Sequence, residues 1–214
     1  FSEQSATIPD SALMERYGLA KTTGIDFGYM GDSREGKGFS LLAPMIERVL
    51  EQDPSRSRFI VQCAVSEYEF QENTSIKELK RVSEKFPSRL ILINERLSEA
   101  DYMALFRFLN VVLIPYTGAG FVEGTSNVYS EAAALGKPVV VSDNTWMANE
   151  LKKYFGGVEF KIGDSIDFAE KVLEVNANFD ELSTRARTFA PSWNQFHSAE
   201  NLVDMLLKEL QTQR

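Results

Sequence analysis

The sequence predicts an α/β fold in which a Rossmann-like parallel sheet is covered by helices on both of its faces. Short apolar runs alternate with helical stretches, which favours right-handed crossovers between parallel strands. The chain of 214 residues is long enough to bury the core of one sizeable domain of this class. The strands are predicted at residues 25–30, 58–65, 89–93, 110–115, 138–141 and 158–161.

The stretches between these runs carry helix signals. Ser98, with Asp101 three residues later, forms a capping-box-like start for the helix that precedes the fourth strand. We expect a short helix over residues 9–17 and a polar connection at 67–74. Further helices are predicted at residues 39–51, 76–86, 146–154, 166–175, 181–189 and 198–210.

The chain divides into three predicted parts. Residues 1–23 form a lead-in segment, residues 24–190 form a ligand-binding domain, and residues 191–214 form a C-terminal helical segment. Pro191 is expected to break the chain before this last segment.

Composition narrows the range of partners and the compartment. The net charge of −8 and the pI near 4.9 argue against a nucleic-acid partner. No apolar run approaches the ~20 residues of a membrane span, so we expect no membrane association for this domain. The single cysteine, Cys63, suits a reducing compartment, and we expect a cytoplasmic protein.

Residues 110–143 form the most informative stretch, a predicted strand–loop–helix–strand unit. Its loop contains Gly118, Gly120 and Gly124, which permit unusual backbone angles. Either Thr125 or Ser126 is expected to cap the helix that follows. Gly136, after the last helical residues, is a natural helix stop.

Two carboxylates flank the start of this helix. The backbone N–H groups of residues 124–127 attract anions such as phosphate, whereas Glu123 and Glu131 are suited to hydroxyl groups. A nucleotide sugar has hydroxyls at both ends and phosphate between them. On spacing alone, the plainer interpretation is preferred, in which Glu123 interacts with the helix dipole and Glu131 is a solvated helix residue.

The segment EGTSNVYSE followed by AAALGKPVVVSD resembles the Glu-x7-Glu signature of the GT-B glycosyltransferases, whose common pattern is EGFGLxxxEAMAxGxPVVxSD. Ser126 stands where the family usually has its second glycine, and Ala133 where it has methionine. The matching positions are Glu123, Gly124, Glu131, Ala132, Ala134, Gly136, Pro138, Val139, Val140, Ser142 and Asp143.

The loop GDSREGKG after the first strand resembles the family pattern GRLxxxKG, in which cations hold the leaving diphosphate. Gly31, Lys37 and Gly38 match that pattern. Asp32 occupies the family arginine position, and Arg34 is a proposed substitute two residues later. From composition alone, two cations in a loop are ordinary surface residues.

The resemblance also covers the turn at residues 94–97, which in the family packs on the nucleobase. Leu97 would offer the apolar contact there, although a plain strand-to-helix loop explains the segment equally well. Nothing in the turn distinguishes one base from another.

The resemblance implies the C-terminal, donor-binding domain of a retaining family 4 glycosyltransferase (glycosyl transferases group 1), in polysaccharide biosynthesis. Its catalytic residues would be Arg34, Lys37 and Glu123, with Glu123 on the transferred sugar. Gly31, Leu97 and Glu131 would contact the donor, with Glu131 on the ribose, as would the helix start formed by Gly124, Thr125, Ser126 and Asn127.

No metal or cofactor is expected, and a nucleoside diphosphate sugar is the expected donor. The implied partner is a missing N-terminal acceptor domain, on which the C-terminal helix would pack. This chain alone would then be inactive. Two alternatives stay open at this point. They are a nucleotide-sugar epimerase of the same architecture and a non-catalytic GT-B-like binding or assembly module.

Overall fold

A computed structural model describes residues 12–53, 55–63, 74–154 and 156–212 of the chain. The strands are β1 (Ile25–Tyr29), β2 (Ser57–Gln62), β3 (Leu90–Ile93), β4 (Val111–Ile114), β5 (Val139–Ser142) and β6 (Gly157–Phe160). They form one six-stranded sheet in the order β3-β2-β1-β4-β5-β6, and all neighbouring strands are parallel. The predicted parallel sheet is therefore confirmed.

Helices cover both faces of this sheet. They are α1 (Ala12–Arg16), α2 (Leu42–Gln52), α3 (Thr74–Lys85), α4 (Glu99–Phe108), α5 (Asn127–Ala134), α6 (Trp146–Tyr154), α7 (Ser165–Ala177), α8 (Phe179–Phe196) and α9 (Ala199–Thr212). Short 3-10 helices occur at Glu35–Lys37, Phe39–Leu41 and Ala119–Phe121. The first three residues of the expected helix at 9–17 and most of the connection at 67–74 lie outside the described residues.

The central strands β1 and β4 are buried along their whole length, as is typical of parallel strands that are covered on both faces. The side chains of β4 alternate between two separate hydrophobic clusters, whereas β1 contributes to the first of them only. Phe27 and Val111 belong to the cluster that packs beneath α2, α3 and α7. Val112 and Ile114 belong to the cluster that contains residues of α4, α5 and α6. The sheet thus holds its strand ends at fixed positions.

The central unit folds as its sequence predicts. Ser126 is the residue that caps α5, since its hydroxyl oxygen accepts a hydrogen bond from the N–H of Tyr129 at 3.2 Å. Gly136 has a φ of 62°, which ends the helix in the left-handed region. Ser98 caps α4 in the same way, by accepting from the N–H of Asp101 at 3.1 Å.

The expected break at Pro191 is wrong. Helix α8 continues through Pro191 to Phe196. A proline inside a helix removes one backbone hydrogen bond and costs about 3 kcal/mol or more. Trp193, only 3% exposed, packs its ring 5.8 Å from that of Tyr129 in α5. We attribute the continuation to this burial, because an early end of α8 would expose the indole ring.

Helix α9 carries an exposed apolar stripe. Its exposed large apolar residues are Leu202, Val203, Met205, Leu206, Leu207 and Leu210. Among the described residues, no helix is both long and apolar enough to cross a lipid bilayer.

Candidate functional site

The candidate site lies where the strand order of the sheet reverses. Strands β1 and β4 are neighbours, and the chain leaves β1 toward one edge of the sheet and β4 toward the other. In open parallel sheets, ligands bind beyond the carboxyl ends of the strands at such a switch point. The loop at 31–38 follows β1 and the loop at 116–124 follows β4, so both open on this carboxyl edge.

The two loops are joined directly by their backbones. The N–H groups of Thr117 and Gly118 both donate to the carbonyl oxygen of Gly36, at 3.0 and 2.9 Å. Gly38 adopts a φ of 67°, and a Cβ at this position would lie 1.7 Å from the carbonyl oxygen of Pro115. Only glycine therefore permits this approach of the two loops.

The cationic side chains of the first loop meet one carboxylate. Asp32 Oδ2 lies 2.8 Å from Nε of Arg34, and Asp32 Oδ1 lies 3.6 Å from Nζ of Lys37. A Cβ at Gly31 would lie 3.4 Å from the same Nζ, so the ammonium group is held close to the backbone. The Tyr29 hydroxyl fixes the loop by donating to the backbone carbonyl of Asp32 at 2.7 Å. Asp32 thus serves as the counter-ion of both cations.

Burial and charge act differently on these groups. Burial alone would raise the pKa of Asp32, but the hydrogen bond from Arg34 and the charges of Lys37 and Arg34 outweigh it, and the pKa is lowered. Burial lowers the pKa of Lys37, against the opposing effect of Asp32. The Arg34 side chain is 58% exposed and that of Lys37 only 17%, so the charge of Lys37 lies in the less screened environment.

The start of α5 offers backbone donors beside this cluster. In the described part of the chain, the N–H groups of Thr125, Ser126 and Asn127 make no hydrogen bond. The N–H of Gly124 differs from the expectation, because it donates to the carbonyl oxygen of Gly120 at 3.0 Å. Of the four N–H groups predicted to bind an anion, those of residues 125–127 are therefore available and that of Gly124 is not.

The two glutamates of the signature occupy different environments. Glu123 is exposed, and no described residue forms an ion pair or hydrogen bond with its carboxylate. Glu131 is part-buried one turn into α5, and its Oε2 accepts a hydrogen bond from the Tyr102 hydroxyl at 2.6 Å. Glu131 also lines a cleft of about 440 Å³ between α5 and the α8–α9 junction. Its carboxylate is therefore both held and reachable.

The turn at residues 94–97 is fixed by its neighbours. Glu95 accepts a hydrogen bond from Tyr17 at 3.0 Å and forms an ion pair with Arg16 of α1 at 2.5 Å. Asn94 accepts a hydrogen bond from the thiol of Cys63 at 2.7 Å. Leu97 is part-buried against the second hydrophobic cluster. The turn follows β3 and opens on the same edge as the other two loops.

Two tyrosines that sequence reasoning missed belong to this region. The Tyr116 ring centre lies 5.8 Å from Nζ of Lys37 and 4.4 Å from the ring of Phe121. Burial raises the pKa of the Tyr116 hydroxyl, and its hydrogen bond with Ser126 opposes that rise. Tyr116 thus links the cationic loop to the helix cap. Its position at the end of β4 was visible in the sequence, whereas the contact of Tyr102 with a residue 29 positions away was not.

No cluster of three or more His, Cys, Asp or Glu residues that could hold a metal ion occurs within the described ranges. The charged groups at the switch point are therefore the cations of one loop, the carboxylates and the helix terminus. Together with the strand order, this arrangement is that of a Rossmann-like domain with cations, carboxylates and a helix start at its carboxyl edge.

Comparison with known proteins places this domain in a family. The profile of the family described as glycosyl transferases group 1 matches residues 24–178. The chain belongs to this family, and its fold is that of a GT-B glycosyltransferase domain. A search of curated protein sequences gives no match.

Solved structures share the fold at low sequence identity. Sucrose-phosphate synthase from Thermosynechococcus elongatus superposes with a TM-score of 0.68 at 12% identity over 94% of this chain and 49% of its own. The HepE protein of Anabaena, solved in complex with UDP, gives a TM-score of 0.69 at 20% identity over 94% of this chain and 51% of its own. This chain thus spans about half the length of such relatives.

A shorter relative matches over most of its length. The C-terminal domain of the group 1 glycosyltransferase LpcC from Francisella tularensis gives a TM-score of 0.66 at 16% identity. The match covers 86% of this chain and 91% of that domain. The described fold therefore corresponds in extent to that C-terminal domain.

Proposed function

We propose that this chain is the donor-binding domain of a glycosyltransferase that moves a sugar from a nucleoside diphosphate sugar to an acceptor, with retention of configuration. The observation that carries the proposal is the direct junction of two loops at the β1–β4 switch point. The shared carbonyl of Gly36 brings the loop of Lys37 and Arg34 against the loop that leads into α5. Cations and free helix N–H groups then lie on neighbouring loops at the same edge of the sheet, as a site for a diphosphate requires.

The diphosphate is the leaving group of such a transfer, and stabilising its charge is the main electrostatic task. We assign this task to Lys37, to Arg34 and to the N–H groups of residues 125–127. Lys37 has the larger share, because it is the less exposed of the two cations. These hydrogen-bond donors are in place before the ligand binds. Little reorganisation of the protein is therefore required when the bond between sugar and phosphate breaks.

The two carboxylates are assigned to the two ends of the donor. Glu123, exposed at the end of its loop, would accept hydrogen bonds from hydroxyls of the transferred sugar. Glu131, one turn into α5, would accept from the ribose hydroxyls. The turn at 94–97, with Leu97, would contact the base. With the sugar at Glu123 and the ribose at Glu131, the phosphates of the ligand would lie between the two carboxylates, at the start of α5.

The acceptor groups would come from an N-terminal domain outside this chain, on which the apolar stripe of α9 would pack. This is in keeping with a chain that spans about half of its longer relatives. Transfer would then require the two-domain protein, whereas donor binding would be measurable on this chain. One relative is an α,α-trehalose-phosphate synthase described as UDP-forming, so UDP is the first nucleotide to test.

The test is calorimetric titration of the chain with UDP, GDP, ADP and dTDP. We expect saturable binding of at least one of them and a strong loss of that binding in Lys37→Ala. Heat traces that stay flat with all four nucleotides would contradict the proposal. A product assay with the two-domain protein then separates transfer from epimerisation, because only transfer yields a glycosylated acceptor together with a free nucleoside diphosphate.

A second candidate function is favoured by the pairing of Asp32 with both cations. If that carboxylate is not displaced by a diphosphate, the domain would serve as a non-catalytic GT-B-like binding or assembly module. The same titrations decide between the two functions, because a module of this kind would bind none of the four nucleotides.

A further inference from the structure

Tyr102 and Glu131 form a pair that bridges two helices. Tyr102 lies in α4, immediately before β4 in the chain, and Glu131 lies in α5, immediately after it. The Tyr102 hydroxyl donates to Oε2 of Glu131 at 2.6 Å, and both residues are part-buried. The Tyr102 ring also packs 5.7 Å from that of Phe106, one turn further along α4. The Tyr102 side chain, which donates the hydrogen bond, is therefore held in place by a contact within its own helix.

The direction of this hydrogen bond is fixed by the ionisation of the two groups. Burial, and then the hydrogen bond to Glu131, raise the pKa of Tyr102 above its ordinary value. The phenol stays protonated at neutral pH and must donate, while an ionised carboxylate can only accept. The bond is thus charge-assisted, which makes it stronger than a bond between two neutral groups.

The pair leaves part of the carboxylate open to a ligand. In the described part of the chain, no hydrogen bond reaches Oε1 of Glu131. The same side chain lines the cleft of about 440 Å³ beside the α8–α9 junction. A glutamate on a helix surface normally samples several rotamers, and fixing one of them on binding costs conformational free energy. The contact with Tyr102 removes most of that cost in advance.

We propose that Tyr102 is a positioning residue that holds the Glu131 carboxylate ready for the ribose diol, so that the site selects ribonucleoside diphosphates over deoxyribose analogues. This inference rests on the proposed function, because it takes the assignment of Glu131 to the ribose from it. It adds the donor class and a residue outside the family signature. A carboxylate held by Tyr102 favours a diol at a defined distance, and a 2′,3′-dideoxyribose offers no hydroxyl to it.

The experiment compares two ligands that differ only in the diol. Calorimetry measures the affinities of UDP, GDP or ADP, whichever binds most tightly, and of the 2′,3′-dideoxy form of the same nucleotide. The unaltered chain should prefer the ribose form by about tenfold or more, since two charge-assisted hydrogen bonds are lost with the diol. Tyr102→Phe should weaken the ribose form by about three- to tenfold and leave the dideoxy form within about twofold.

Two further variants separate positioning from general stabilisation. Ser83→Ala deletes another part-buried hydroxyl, which donates to Leu90 at 3.1 Å at the opposite edge of the sheet, and should change neither affinity. In a double-mutant cycle, Tyr102→Phe should add almost nothing to the loss caused by Glu131→Ala, because Tyr102 acts through that carboxylate. Thermal unfolding of each variant checks that the chain is folded at the titration temperature.

The outcomes distinguish this inference from the proposed function. The positioning role would be overturned if Tyr102→Phe weakened the affinity for both ligands equally, or if its loss of affinity added to that of Glu131→Ala. Neither result would contradict the proposed donor site. A preference of the unaltered chain for the ribose form of less than twofold would also overturn it, and this measurement needs no variant. Absence of binding by UDP, GDP, ADP and dTDP alike would overturn the proposed function, and the inference with it. Binding of dTDP but of none of the three ribonucleotides would overturn the inference alone.

Discussion

The Asp32 carboxylate lies 2.8 Å from the guanidinium Nε of Arg34, and its other oxygen lies 3.6 Å from Nζ of Lys37. A single acidic residue therefore faces both cations that are assigned to the diphosphate. An anionic ligand must displace this carboxylate or share its partners, and it meets the repulsion of a like charge while doing so. We therefore expect Asp32 to lower the affinity of the proposed site for a diphosphate.

Removing the charge of Asp32 should strengthen binding. We expect Asp32→Asn to raise the affinity for the nucleoside diphosphate by roughly threefold or more, because the repulsion is removed and the two cations are released. Titration calorimetry at low ionic strength measures the effect. Glu78→Gln is the control, since it removes one negative charge from an exposed ion pair with Arg81 on α3. An affinity that falls in Asp32→Asn would show instead that Asp32 holds the cations in their binding positions.

The ionisation of Lys37 should appear in the pH dependence of binding. Its pKa is lowered, chiefly by burial, so the free chain loses this positive charge at a lower pH than an ordinary lysine would. Neutral lysine does not attract phosphate, and the affinity should therefore fall with rising pH in the alkaline range below the ordinary lysine pKa of about 10.4. Lys37→Arg keeps its charge throughout this window and should show a much flatter profile. Profiles of equal slope in the two proteins would place the titrating group elsewhere.

The close contact at Gly38 should be essential for the fold of the site. Gly38→Ala combines a left-handed φ with a Cβ 1.7 Å from the carbonyl oxygen of Pro115. We expect a loss of more than about 2 kcal/mol in the free energy of unfolding, measured by urea titration.

Two other glycines provide matched controls for Gly38→Ala. Gly163 also has a positive φ, but nothing lies within 4 Å of the added Cβ. Gly163→Ala should therefore lower the free energy of unfolding by about 1 kcal/mol. Gly120 has neither a positive φ nor a close neighbour. The free energy of unfolding of Gly120→Ala should therefore be within about 0.5 kcal/mol of that of the unaltered chain. Equal losses of unfolding free energy in Gly38→Ala and Gly163→Ala would show that the loss comes from the positive φ alone, with no contribution from the contact between the loops.

The architecture could be predicted because it follows from local patterns. Each strand is a short apolar run, and the cap at Ser126 and the stop at Gly136 depend on residues within one turn of the helix end. The break expected at Pro191 failed for the opposite reason. Whether α8 continues depends on Trp193 packing against Tyr129, a contact between residues 64 positions apart that no local pattern contains.

The candidate site was predictable in outline and not in its contacts. The family signature and the loop with Lys37 were predicted from sequence to follow two strands of one parallel sheet, and the structure has both loops at its carboxyl edge. The hydrogen bond that occupies the N–H of Gly124 depends on the 3-10 turn formed by the loop, and the contact of Tyr102 with Glu131 depends on how α4 packs beside α5. The pairing of Asp32 with Lys37 was within reach of sequence reasoning, because only five positions separate them.

The central claim is that the two glutamates hold opposite ends of one nucleotide sugar. The most direct test measures two affinities for each variant, that of a nucleoside diphosphate and that of the corresponding nucleotide sugar. Glu131→Ala should weaken both ligands by at least about tenfold, equivalent to about 1.4 kcal/mol, because the ribose is common to them. Glu123→Ala should spare the diphosphate and weaken only the nucleotide sugar, because its expected partners are hydroxyls of the transferred sugar. Equal losses for the two ligands in Glu123→Ala, or no loss in Glu131→Ala, would contradict the account.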